Sequence, residues 1–123
     1  MLSLPGRARV FVARGAVDMR KGFDGLSALV CHVIEEDPQS GHLFFFVNRR
    51  RDRAKILWWD SQGYWLMYRR LEKGRIEVFD QAEGSSGGFE IEPADLLLLL
   101  EGIDLRMAKR RPHYEPRVAR DSA

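Results

Sequence analysis

One cysteine in 123 residues leaves no internal disulfide to form, so this chain must fold on its apolar core alone. At this length a single domain can bury such a core without covalent staples. Cys31 sits in an amphipathic stretch, where a buried, inert thiol is expected. No apolar run approaches the roughly 20 residues that a bilayer-spanning helix needs. The N-terminus lacks a basic stretch followed by a long apolar one, which argues against a secretory signal. The expectation is cytoplasmic residence with no membrane partner. His32, His42 and His113 are scattered without metal-ligand spacing, and no second thiol accompanies Cys31. No glycine-rich loop runs from a strand into a helix with a Lys-Ser/Thr end, so a nucleotide cradle is missing. Neither a metal nor a cofactor is expected.

Lysine and arginine are also missing from residues 76–104, which hold eight acids for a formal −8. The preceding stretch, 41–75, is the reverse, with nine Lys/Arg against three acids for +6. Residues 1–40 balance to zero and 105–123 carry +4, so a net charge of only +2 conceals strong polarisation along the chain.

Between Pro5-Gly6 and Gly15, the segment Arg9–Arg14 (RVFVAR) alternates as a short strand does. Met19, Phe23, Leu26, Val30 and Val33 then recur at helical spacing, predicting a helix over 18–37 with Asp18 as N-cap and Pro38 and Gly41 as the stop. Gly22 and Gly25 weaken its first turns, so a separate turn before a regular helix from Phe23 also fits. Four further strands are predicted at His42–Asn48, Ala54–Asp60, Tyr64–Leu71 and Arg75–Phe79, with links short enough for hairpins. Ile56 and Trp58 should face one side of the sheet, Leu57 and Trp59 the other, which calls for cover on both faces. Residues 80–89 read as a flexible acidic Gly/Ser loop. Pro93 opens a short helix of five consecutive leucines, Leu96 to Leu100, stopped by Gly102. The fold class is α+β: an antiparallel meander of about five strands packed with one longer and one short C-terminal helix. A single domain spans 1–106, and 107–123 form a basic, flexible tail.

The link Arg49-Arg50-Arg51-Asp52-Arg53 puts four guanidiniums over five residues. Their planar forks match phosphate geometry, and a hairpin tip can bridge or enter a groove. A solvated loop is the alternative, although few loops hold so many arginines. Phe44, Phe46 and Trp58 read as core rather than as a base-stacking surface, because stacking needs an open sheet face. Arg69 and Arg70 should point to opposite faces. Asp18, Asp24, Asp52 and Asp60 resemble magnesium ligands only in isolation. Asp18 suits a cap, Asp52 a partner within the arginine loop and Asp60 a turn. Catalysis is not expected.

Several ordered blocks carry a resemblance: Asp18-Met19-Arg20-Lys21-Gly22-Phe23-Asp24-Gly25-Leu26, Gly41-His42-Leu43-Phe44 with the arginine tip, and Trp59-Asp60-Ser61-Gln62-Gly63. Arg70-Leu71-Glu72-Lys73-Gly74-Arg75 and Leu99-Leu100-Glu101-Gly102-Ile103-Asp104 complete it. Over roughly residues 4–106 the chain resembles the TnpB, or Orf2, accessory proteins of the insertion-sequence family numbered sixty-six. These are distinct from the RNA-guided nucleases that share the name. The resemblance implies a bacterial mobile-element protein encoded beside a larger transposase, needed for efficient transposition and without strand-transfer chemistry of its own. Glu92 replaces the Thr or Ser cap frequent in the family, and the tail after Met107 matches no family pattern.

Two functional readings stand. In the first, Arg49, Arg50, Arg51, Arg53, Lys55 and Arg70, with Arg20 and Lys21, contact phosphates of transposon-end DNA. In the second, Leu97 and Leu98 of the leucine helix, beside the acidic segment, dock on the transposase or on a second copy. Duplex DNA, single-stranded DNA or RNA as the partner, and homo-oligomeric state, stay open at this point.

Overall fold

The computed structural model describes residues 8–77 and 87–101. Its element order is β1 (Val10–Ala13), α1 (Phe23–Leu29), a π-helical turn (Val30–Ile34), β2 (Leu43–Val47), β3 (Arg53–Trp59), β4 (Tyr64–Arg70), β5 (Gly88–Ile91) and α2 (Pro93–Leu100). The five strands form one sheet in the order β4-β3-β2-β1-β5, an α+β fold.

Alternating side chains send β2 and β3 into two separate apolar layers. Leu43, Phe45, Val47, Ala54, Ile56 and Trp58 join Val10, Val12, Ile76, Leu96 and Leu99 under α2. Phe44, Phe46 and Leu57 join Phe11, Ala13, Val17, Leu26 and Val30 under α1. Both helices expected as covers are therefore in place, and the opposed facing of Ile56 and Leu57 is as the period of two requires. Phe44, Phe46 and Trp58 are core.

The meander holds for β2, β3 and β4, which pair antiparallel in the register Phe45↔Ile56 and Ile56↔Met67. Two expectations are corrected at its ends. β1 lies parallel to β2 (Phe11↔Phe44), because the α1 segment carries the chain across one face before β2 begins. The fifth strand is Gly88–Ile91, antiparallel to β1, rather than Arg75–Phe79. Arg75–Glu77 carry no strand, and Val78 and Phe79 lie outside the described residues. Ile76 instead drops into the core beneath α2, and its N–H donates to the Arg51 carbonyl at 2.7 Å. That bond turns the chain across the hairpin tip, away from the outer edge of β4.

The Gly/Ser-rich loop expected over 80–89 is likewise partly strand. Gly88 sits there for want of room: a Cβ would come within 2.9 Å of Ile34 Cγ2 and 3.0 Å of the Val12 carbonyl. Residues 80–86 of that loop, the Gly102 stop, residues 102–106 of the expected domain and the tail 107–123 lie outside the described residues.

The long helix is shorter than its periodicity suggests. Gly22 occupies the N-cap position of α1, and Asp18 accepts instead from the Arg20 N–H at 2.9 Å, closing a local turn before the helix. At the other end the wide π turn brings Ile34 onto the sheet layer and leaves Val33 exposed. Glu35 then ends the helical segment in the left-handed conformation, φ 64°, ahead of Pro38. Cys31 is exposed, contrary to the buried thiol expected, because the core face of this segment runs through Leu26, Val30 and Ile34. Glu92 makes no capping side-chain bond at α2, consistent with the absent Thr or Ser.

Phe45 has no solvent-exposed surface and lies at the centre of the layer beneath α2. Phe45→Ala is expected to lower unfolding free energy by about 3–5 kcal/mol, read from the denaturant midpoint.

Candidate nucleic-acid interface

The β2–β3 connection is shaped by one side chain. Asn48 Oδ1 accepts from the backbone N–H groups of Asp52 (3.1 Å) and Arg53 (3.0 Å), while its Nδ2 donates to Asp52 Oδ1 at 2.7 Å. That last bond holds the Asp52 carboxyl below its ordinary pKa, with help from the nearby Arg50 and Arg53 charges. Arg51 takes the left-handed conformation (φ 63°) at the turn. From outside, the Leu71 N–H donates to the Asp52 carbonyl at 2.7 Å, and Ile76 grips Arg51 as described. The tip is thus tied to the sheet on two sides.

Against the tip, the segment before α1 is drawn in by a buried ammonium. Lys55 is only 7 % exposed, and its Nζ donates at 2.7 Å to the carbonyls of both Met19 and Lys21. The same Nζ lies 4.7 Å from the centroid of the Tyr68 ring. Charged hydrogen bonds of this kind contribute about 1.5–3 kcal/mol each, which offsets the desolvation of a buried cation. Arg20, exposed beside this strut, pairs with Asp18: Nη2 to Oδ2 at 2.8 Å and Nε to both oxygens at 3.1 Å.

Between the two segments lies a shallow cavity of about 320 Å³ lined by Val17, Asp18, Met19, Asn48, Arg49, Arg50, Asp52 and Arg53. Arg49 and Arg50 are exposed and take no ion pair from the described residues. Arg53 Nη1 donates to Tyr68 Oη at 3.1 Å, which raises the guanidinium pKa. Arg70 faces Arg53 on the last rung of the β3–β4 ladder and pairs with Glu72 at 2.8 Å.

The expected contact set is therefore divided. Arg49, Arg50 and Arg53 line one cavity, Arg20 pairs with Asp18 of its lining, Lys21 follows in the same segment, and Arg70 lies opposite Arg53 on the ladder. Arg51 turns aside to Glu77 at 3.2 Å. Lys55 leaves the exposed set altogether: its ammonium is spent on backbone carbonyls, and it joins the surface by positioning Arg20 and Lys21. Arg69 and Arg70 do face opposite ways, since their partners Ala54 and Arg53 are successive residues of β3. Asn48 and Tyr68 are the residues sequence reasoning passed over. An Asn immediately before an arginine-rich link was the available signal for the first. Apart from this surface, Leu97 of α2 is 66 % exposed, while Leu98 packs partly against the core.

Three of the scattered aspartates are committed locally. Asp60 accepts from the N–H groups of Gln62 and Gly63 and from Trp65 Nε1 at 2.7 Å, a turn former as expected. No group of three or more His, Cys, Asp or Glu able to hold a metal occurs among the described residues. No helix among them is long and apolar enough to cross a membrane.

With this geometry in hand, the profile of the family described as "IS66 Orf2 like protein" matches residues 8–110. The chain belongs to that family. It is 42% identical over 106 residues to the uncharacterized protein y4hO of Sinorhizobium fredii (strain NBRC 101917 / NGR234), covering 86% of this chain and 90% of the relative. To y4jC of the same strain, also uncharacterized, it is 35% identical over 108 residues, covering 88% and 90%. No solved structure matches. As an IS66 Orf2-like protein, the chain has a transposition-associated accessory role, and the matched span takes in every residue of the cavity.

Arg20 holds the Asp18 carboxyl down to about 2, through its side chain first and its backbone N–H second. A depressed carboxylate stabilises the fold above its unfolded value of 3.8 and ceases to do so as pH falls through about 2. The Asp18 carboxyl carbon is therefore expected to titrate near 2 by NMR in the native chain, and to move back toward 3.8 in Arg20→Ala.

Proposed function

We propose that this chain is a non-catalytic accessory protein of transposition that holds transposon DNA with the arginines around its hairpin tip and so assists the transposase. The observation that carries this reading is the pair Arg49–Arg50, exposed and without an ion pair among the described residues, on a loop whose shape is set by Asn48 rather than by the arginines. Cations carried on a loop whose backbone is tied down suit phosphate contacts, which position a protein on DNA without reading sequence. Arg20 and Arg70 are exposed and paired to acids on the surface. Such pairs contribute little in water and exchange readily for phosphate. The local engagement of Asp18, Asp52 and Asp60 supports a non-enzymatic role.

With about five phosphate contacts on duplex transposon-end DNA, log K is expected to fall against log salt with a slope near −4.5. Replacing Arg49, Arg50 and Arg53 together by alanine should flatten that slope by about 0.9 per lost contact. An unchanged slope and affinity would sink the proposal.

A second reading rests on Leu97. An exposed leucine one helical turn before the exposed Glu101 suits docking on a basic, apolar surface of the transposase. Leu97→Gln should then abolish copurification with the transposase in DNA-free buffer while leaving thermal stability unchanged; retention of the complex counts against it.

A further inference from the structure

We propose that Tyr68 is a stacking platform for an unpaired base, so that this face takes single-stranded DNA more tightly than duplex; the inference rests on the DNA reading above. Tyr68 lies on β4, the outer strand of the sheet. The layer beneath α1 fades toward this edge: Leu57 is fully buried, Tyr64 and Leu66 are only partly covered, and Tyr68 is 51 % exposed. The Lys55 ammonium occupies one face of the Tyr68 ring, so the exposed area belongs to the other face. Arg53 fixes the hydroxyl, and Lys55 fixes the ring plane, so the aromatic surface is held in place before any ligand arrives.

Cations surround this ring. Arg53 and Arg70 face each other one rung-pair along the ladder from Tyr68 and Lys55. Lys55 brings the Arg20–Lys21 backbone alongside. An open aromatic face bordered by guanidiniums is how single strands are held: the cations follow the phosphates and each ring takes a base. A base within a duplex has both faces covered by its neighbours, so the ring gains from it only when it is unpaired. Trp65 is as exposed, at 48 %, yet lies on the opposite sheet face with its Nε1 bound to Asp60. It serves as the internal control.

Fluorescence anisotropy of the full chain with a labelled oligothymidylate, and with a duplex of equal length, tests the assignment. The single strand is expected to bind more tightly. Tyr68→Ala should weaken single-strand binding about tenfold with the salt slope unchanged, because stacking releases no counterions. Tyr68→Phe should keep most of the affinity, Trp65→Ala should match the native chain, and duplex binding should fall far less than single-strand binding in Tyr68→Ala. Unchanged single-strand affinity in Tyr68→Ala, or an equal loss on duplex, overturns the platform. If the duplex still binds with its arginine-dependent salt slope, the tip reading survives that failure. Absence of binding to either polymer overturns both.

Discussion

Phe44 and Phe46 press into one apolar layer while Leu43, Phe45 and Val47 press into the other, leaving β2 no face for water. Everything else follows from that two-sided burial. A central strand apolar on both sides needs a helix above and a helix below, and the parallel placement of β1 lets the connecting helix supply the first. Function is thereby driven off the middle of the sheet. Among the described residues it is left to the hairpin end, an edge strand, or the outward side of a helix.

Among the described residues Lys55 is the one departure from this apolar rule, and it lies near the hairpin-tip end of β3. Within β3 the burial pattern would accept an aliphatic side chain at this position, yet the chain carries an ammonium buried to 7 % exposure. Two carbonyls and an aromatic face take the place of its water. The result is mechanical: the segment before α1 is held against the hairpin, and Val17, Asp18 and Met19 come to share a cavity with the arginines of the tip. A charged residue counted in the sequence as a contact acts in the structure as a tie.

Much of this was legible from the residues. The short apolar runs LFFFV and ILWW, bounded by polar turn residues, marked the strands to within about a residue, and the apolar character of both faces required the two covering helices. What stayed hidden has local physical causes. Ile76 looked like a strand residue, but it is anchored by a carbonyl of the tip, a contact between segments far apart in sequence. Gly88 looked like loop, but its missing side chain makes room for Ile34. The helix was over-long on paper because periodicity registers neither a π turn nor an Asp that closes a turn upstream of the first helical residue. At the site, the arginine run announced the charge, whereas the open face of Tyr68 depends on how far α1 reaches, which no spacing encodes.

The framework of the hairpin tip is built by Asn48, Asp52 and backbone groups, none of which is a cation. Shape and charge are therefore separate variables in this loop. The side chains at 49 and 50 make none of the bonds that set the path of the chain, so the charge this end of the molecule presents to solvent can change there without refolding the protein.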